Sequence, residues 1–158
     1  MESGWPPSEG TMLSQETSAQ AAGRANPGWA WLALCAALAL HVTDEALTDF
    51  LSVYNPSVAR IRARLPWLPL PTFTFEVWLT GLIAVILLLS LLSVFAFRRE
   101  GWMRPLAYVF AVVMFLNGCG HIFGSFYLGR LMPGVYSSPF LLAASIYLLR
   151  SAGAFRSR

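Results

Sequence analysis

The chain contains no lysine and few charged residues of any kind. Its 158 residues include 12% charged and 56% hydrophobic side chains, whereas soluble domains usually carry about 25% charged residues. The net charge of +3 comes from arginines alone, and these lie at the ends of apolar runs, where they suit contact with lipid head groups. This placement argues against a nucleic-acid-binding patch and favours a protein whose main partner is the lipid bilayer.

Cysteine is also scarce, with only Cys35 and Cys119, both inside apolar runs. The pattern excludes a disulfide framework and a cysteine zinc ribbon. Residues 1–26 are rich in Ser, Gly, Pro, Gln and Glu without apolar periodicity, and we expect them to form a disordered tail. They lack the basic segment of a signal peptide.

Four apolar segments follow the tail, and a spanning helix needs roughly 20 mostly apolar residues. We predict an all-α fold. Residues 27–155 are expected to form a polytopic membrane domain, built as a four-helix transmembrane bundle. The spans are expected at about 28–51, 75–97, 104–128 and 135–155. The last is the weakest, because Pro139 and Arg150 leave a short apolar stretch between them. The prolines and Trp67 of residues 52–74 predict a loop along the membrane interface.

Four spans place both termini on one side of the membrane. In that topology, seven of the arginines lie on the side of the termini and four on the other side. Positively charged loops favour the cytoplasm, so we expect cytoplasmic termini in a plasma (inner) membrane.

The first segment carries an unusual set of ionisable side chains within HVTDEALTD, residues 41–49. An aspartate at the centre of a spanning helix costs about 2.5–3.5 kcal/mol, so such residues mark a functional site. Helical spacing places His41, Asp44 and Glu45 on one face. Asp49 lies near the helix end, where a solvated carboxylate is expected.

The third segment carries a matching polar stripe of Asn117, His121 and Ser125 at steps of four residues. Gly120 and Gly124 lie beside the stripe, with the spacing that allows a neighbouring helix to approach closely.

Depth supports a meeting of the two stripes. A rise of 1.5 Å per residue puts His41 about 20 Å, and Glu45 and His121 about 25 Å, from the side where their segments begin. Glu76 and Arg130 belong to the same half of the bilayer. We predict a single polar pocket there.

Three stretches resemble the HXXEE family of small membrane proteins: HVTDE at 41–45, NGCGH at 117–121 and RLMPGVYSS at 130–138. The resemblance covers roughly residues 30–150. The family is named for His-x-x-Glu-Glu in its first helix, and here Asp44 replaces the first glutamate. The resemblance implies the fold and the place of the site, and the family has no established activity to transfer.

One candidate function is acid–base chemistry on a lipophilic small molecule, such as isomerisation, cyclisation or hydration. Glu45 would transfer the proton, and His41 and His121 would tune it, with Asp44 as a fourth catalytic candidate. The residues expected to bind or orient the substrate are Asn117, Ser125, Arg130 and Glu76.

A second candidate is a divalent metal site, with Zn²⁺ or Fe²⁺ bound by His41, Glu45 and His121. The chain lacks the repeated histidine-rich boxes of membrane di-iron oxygenases and any strong zinc motif. A third candidate is a non-enzymatic membrane subunit or ion relay, in which the polar cluster only joins helices at about 0.6 kcal/mol per hydrogen bond. The sequence does not set the oligomeric state.

Overall fold

The computed structural model of the protein describes residues 26–155. The expected disordered tail lies outside the described residues, except for Asn26. The described chain folds into five α-helices and contains no β-strand, which confirms the all-α prediction. The helices are α1 Pro27–Leu47, α2 Leu51–Arg64, α3 Phe75–Phe97, α4 Met103–Leu128 and α5 Ser138–Ser151, and a short 3₁₀ turn at Ala152–Ala154 follows α5.

Three of the described helices, α1, α3 and α4, are long and apolar enough to cross a bilayer. The α3 helix lies over the same residues as the second predicted span. It exposes a row of large apolar side chains, including Leu87, Leu91 and Val94. An apolar surface of this extent would be unfavourable in water, and it fits contact with lipid.

The fourth predicted span, residues 135–155, is not among the candidate spans. The α5 helix has 14 residues, which extend about 21 Å and fall short of a hydrocarbon core of about 30 Å. Residues 129–137 instead form a loop that folds back over the last turns of α4. The Met132 backbone N–H donates to Ser125 Oγ at 2.9 Å, so α5 begins deep beside α4 instead of at its end.

The prediction of a loop over residues 52–74 is wrong for the first half of that stretch, which forms α2. A proline inside a helix removes one backbone hydrogen bond and its ring crowds the carbonyl four residues earlier, yet Pro56 lies within α2. The segment after α2 is irregular, and Asn55 fixes it to the helix. Its side chain donates to the Phe73 carbonyl at 2.9 Å and accepts from the Phe73 N–H at 3.1 Å.

The α1 helix lies at the centre of the bundle, between α3 on one side and α5 on the other, while α4 packs mainly on α5. Trp31 of α1 is buried and donates its indole N–H to the Leu89 carbonyl of α3 at 2.8 Å. The polar atom of this fully buried side chain is thereby satisfied within an apolar interface.

On α4, the close contact with another helix occurs at Gly118 and not at the expected pair, Gly120 and Gly124. A Cβ atom at Gly118 would lie 3.1 Å from Leu142 of α5, whereas one at Gly120 would have no atom within 4 Å. At Gly124 the neighbour is Met132 of the loop. The polar stripe of α4 is therefore closed by the loop and by α5, and Gly120 borders open space.

Helix directions bring both ends of the described chain to the same end of the bundle. Glu45 and His121, each in the C-terminal part of its helix, lie together, so α1 and α4 run parallel. The residues at the start of α5 lie at this same depth, because Ser137 contacts His41 and Ser138 lies beside Gly118. The α5 helix therefore runs back toward the end where α1 and α4 begin.

Candidate functional site

The α1 helix is built so that its polar residues come near its C-terminal end. Asn26 caps the helix by accepting the Gly28 N–H at 3.0 Å, and Pro27 occupies the first turn, where its missing N–H is not needed. Apolar residues then fill three turns before His41. One further turn brings Glu45 onto the same face.

His41, Glu45 and His121 form a buried cluster, which we call the triad. Their exposed fractions are 0%, 5% and 3%. Glu45 Oε1 lies 3.1 Å from His121 Nε2 and 3.6 Å from His41 Nε2. Each of the three residues offers one nitrogen or oxygen atom that could bind a metal ion, and these three atoms lie within 4.8 Å of one another. The predicted pocket between the first and third apolar segments is confirmed as a cluster of these three side chains.

The hydrogen bonds of His121 fix how its protons are arranged. Its Nδ1 faces the carbonyl oxygen of Pro133, and a carbonyl can only accept. Nδ1 is therefore protonated, and Nε2 is left to face Glu45. The two atoms of that contact, His121 Nε2 and Glu45 Oε1, lie 3.1 Å apart.

His41 is held in the same tautomer by a different acceptor. Ser137 Oγ donates to Asp44 Oδ2 at 2.8 Å, so Ser137 accepts from His41 Nδ1 at 2.8 Å. Asn117 Nδ2 lies 3.1 Å from His41 Nε2, and its amide N–H donates to that nitrogen. Both imidazoles thus carry their proton on Nδ1 and direct Nε2 toward Glu45.

Asp44, the fourth catalytic candidate, binds Ser137 with its carboxylate. Its Oδ2 also accepts the Ser137 backbone N–H at 2.9 Å, and it fixes the loop before α5 against α1. Asp44 therefore orients His41 indirectly, through Ser137. Its side chain forms no hydrogen bond with Glu45 or His121.

Of the other predicted site residues, one contacts a triad side chain and three do not. Asn117 binds His41. Ser125 uses its hydroxyl to donate to the His121 carbonyl at 2.8 Å and to accept from the loop, so it stabilises the backbone. Glu76 and Arg130 are exposed, and no hydrogen bond or ion pair of the described residues joins them to the triad.

Residues 133–137 were quoted for the family resemblance but were not predicted to be part of the site. The Pro133 carbonyl and the Ser137 hydroxyl orient the two imidazoles. Gly134 lies directly against the triad, since a Cβ atom there would be 2.9 Å from the His121 ring and 3.0 Å from Glu45 Cγ. The only available signal was the motif itself, because prolines and glycines also occur in ordinary turns.

A cavity of about 300 Å³ opens beside the triad, with Asn117 and His121 in its wall. Phe50 also lines it, and its ring centroid lies 5.8 Å from that of His121. The cavity therefore reaches the triad at His121.

The fold and the site define a helical protein with three candidate membrane spans and a buried His–Glu–His cluster at the level where α1, α4 and α5 meet. Residues 31–148 match the family described as "Protein of unknown function with HXXEE motif". Because this match covers most of the chain, the protein belongs to the HXXEE family. No curated protein and no solved structure shows a match to it.

Replacing Gly134 with alanine tests the fit of the loop against the triad. Gly129 and Gly134 both have positive φ angles, 63° and 84°, and alanine costs about 1–2 kcal/mol in that conformation. Only at Gly134 would the new methyl group also meet the triad. We expect Gly134→Ala to lower the unfolding free energy by about 1–3 kcal/mol more than Gly129→Ala, as measured by unfolding in detergent. Equal losses would contradict the close contact.

Proposed function

We propose that the protein binds one divalent transition metal ion within the membrane, with His41 Nε2, Glu45 Oε1 and His121 Nε2 as its ligands. The observation that carries the proposal is the convergence of both Nε2 atoms on one carboxylate oxygen. Two histidines and one carboxylate are a ligand set of zinc enzymes and of non-haem Fe(II) oxygenases.

The distances support a metal site. Ligand atoms bound at about 2.1 Å to one ion stand about 3.0–3.5 Å apart in tetrahedral or octahedral geometry. The separations of 3.1 and 3.6 Å from Glu45 Oε1 to the two imidazoles are close to that range. All three ligand atoms lie within 4.8 Å of one another, so small side-chain movements would bring them to one ion. Asn117 would have to release the lone pair of His41 Nε2, to which its amide N–H donates at 3.1 Å.

The hydrogen bonds on the far side of each imidazole support it further. A metal-bound histidine usually donates its other ring N–H to a carbonyl or to a carboxylate, which fixes the tautomer. His121 donates to the Pro133 carbonyl, and His41 donates to Ser137, which in turn donates to Asp44.

Charge balance gives a third argument. Glu45 is buried, and no arginine of the described residues forms an ion pair with it. Buried charges in proteins are paired or coordinate metals, so a cation between the carboxylate and the two imidazoles would stabilise the ionised form. Three protein ligands leave a coordination position for water or substrate, as in catalytic zinc sites. The function that we infer is metal-dependent chemistry on a lipophilic molecule.

Metal analysis of the purified protein tests this function. We expect one Zn²⁺ per chain after equilibrium dialysis. Glu45→Gln should remove the binding, because the amide is a poor ligand of the same size. Ser137→Ala should weaken binding by about 10- to 100-fold, as is typical of residues that orient a ligand.

Asp49→Asn is the matched control, since Asp49 is an exposed carboxylate one turn beyond Glu45. It should bind zinc like the natural protein. Zinc binding that is unchanged in Glu45→Gln, or absent from the natural protein, would overturn the metal proposal.

A second candidate function is metal-free acid–base catalysis, favoured by the 3.1 Å contact between Glu45 Oε1 and His121 Nε2. In that case the pair would exchange its proton with a substrate bound in the adjoining cavity. Chelators distinguish the two candidates, because they would abolish metal-dependent activity and leave acid–base activity intact.

We further propose that the chain crosses the membrane four times, with cytoplasmic termini in the plasma membrane. The short α5 would complete its crossing together with residues 129–137, which fold back along α4. The antiparallel course of α5 and the larger number of arginines beside the termini support this topology.

Reporter fusions test the topology. Enzymatic reporters fused at Ser14 and after Arg158 should both be active in the cytoplasm. A reporter inserted near Trp67, in the irregular segment after α2, should report the opposite side. Fusions at the two termini that report different sides would exclude four spans.

A further inference from the structure

The α2 and α4 helices are separated by a groove that leads from the surface to the triad. Its inner part is the cavity of about 300 Å³ that reaches Asn117 and His121. Its outer part is a cavity of about 460 Å³ bordered by Arg60 and Arg64 of α2. The two parts share four lining residues, Val53, Ser57, Gly120 and Met132. They are therefore sections of one continuous groove.

The outer end of the groove carries positive charge. Arg60 and Arg64 border it, and none of its lining residues is acidic. The guanidinium of Arg60 makes only long contacts within its own helix, at 3.3 Å to the Pro56 carbonyl and 3.4 Å to Ser57 Oγ. No carboxylate of the described residues forms an ion pair with either arginine. The two side chains are free to bind an anion.

The walls beyond the arginines are apolar, and the floor is open at Gly120. Val53, Ile61, Leu128 and Met132 line the groove, and no atom lies within 4 Å of a Cβ position at Gly120. A phosphate or other small anion would leave this part of the groove unfilled. The arrangement matches a molecule with an anionic head and an apolar chain.

We propose that the groove binds an anionic phospholipid, with its phosphate between Arg60 and Arg64 and an acyl chain running past Gly120 toward His121. Arginine suits the phosphate because its planar guanidinium donates two parallel hydrogen bonds. This inference rests on the proposed function, since it names the class of molecule that reaches the metal centre. The molecule acted on at the triad is then a lipid chain or a lipophilic compound of similar shape.

Native mass spectrometry of the full chain in detergent tests the proposal, with dioleoyl phosphatidylglycerol as the anionic probe and dioleoyl phosphatidylcholine as the zwitterionic one. The natural protein should retain one phosphatidylglycerol in preference to phosphatidylcholine. Arg60→Gln and Arg64→Gln should each reduce that preference about fivefold, as expected for one arginine at an anionic head group.

Arg62→Gln is the matched control. Arg62 lies on the same turn of α2 but borders a different cavity, together with Ala59 and Pro66. It should keep the preference of the natural protein. Gly120→Leu should reduce binding of both lipids, because its side chain would occupy the path of the acyl chain.

Zinc binding by the same variants separates this inference from the proposed function. The arginine variants should bind zinc normally, which also shows that they are folded, and Glu45→Gln should bind phosphatidylglycerol normally. Zinc bound without any preference for phosphatidylglycerol would overturn the lipid proposal alone. An equal loss of preference in Arg62→Gln would overturn it as well, because the charge would then act without regard to the groove.

Discussion

The burial of the Glu45 carboxylate is the constraint on which the rest of the site depends. An ionised carboxylate in an apolar interior is unfavourable unless a cation or several hydrogen-bond donors accompany it. The chain places no arginine beside Glu45 in its described part and instead supplies both of its histidines. Each imidazole then needs an acceptor for its second nitrogen, and the Pro133 carbonyl and Ser137 provide one each.

The hydrogen bonds that the two imidazoles need explain the course of the loop before α5. To reach His121, the loop has to fold back along α4, and Met132 and Gly134 pack against the helix and the triad as it does so. The α5 helix is consequently short and begins at the depth of the triad. The folded-back loop and the short α5 therefore accompany the hydrogen bonds that satisfy two buried imidazoles.

Periodicity and depth were sufficient to predict that His41, Glu45 and His121 meet, because helical spacing and a fixed rise per residue place them at one level. The α3 helix was equally clear from its long apolar run. The parts that could not be predicted depend on contacts between distant segments. Ser137 looks like any helix-starting serine until its contact with Asp44 is known, and α2 contains Pro56, which usually argues against a helix.

The central claim is that the triad binds a metal through two imidazoles and one carboxylate. X-ray absorption spectroscopy of the zinc-loaded protein in detergent tests it most directly, because the technique identifies the atoms bound to the ion. We predict a shell of nitrogen and oxygen atoms at about 2.0–2.1 Å, with the outer scattering of two imidazole rings. A shell without imidazole scattering, or one containing sulfur, would contradict the claim.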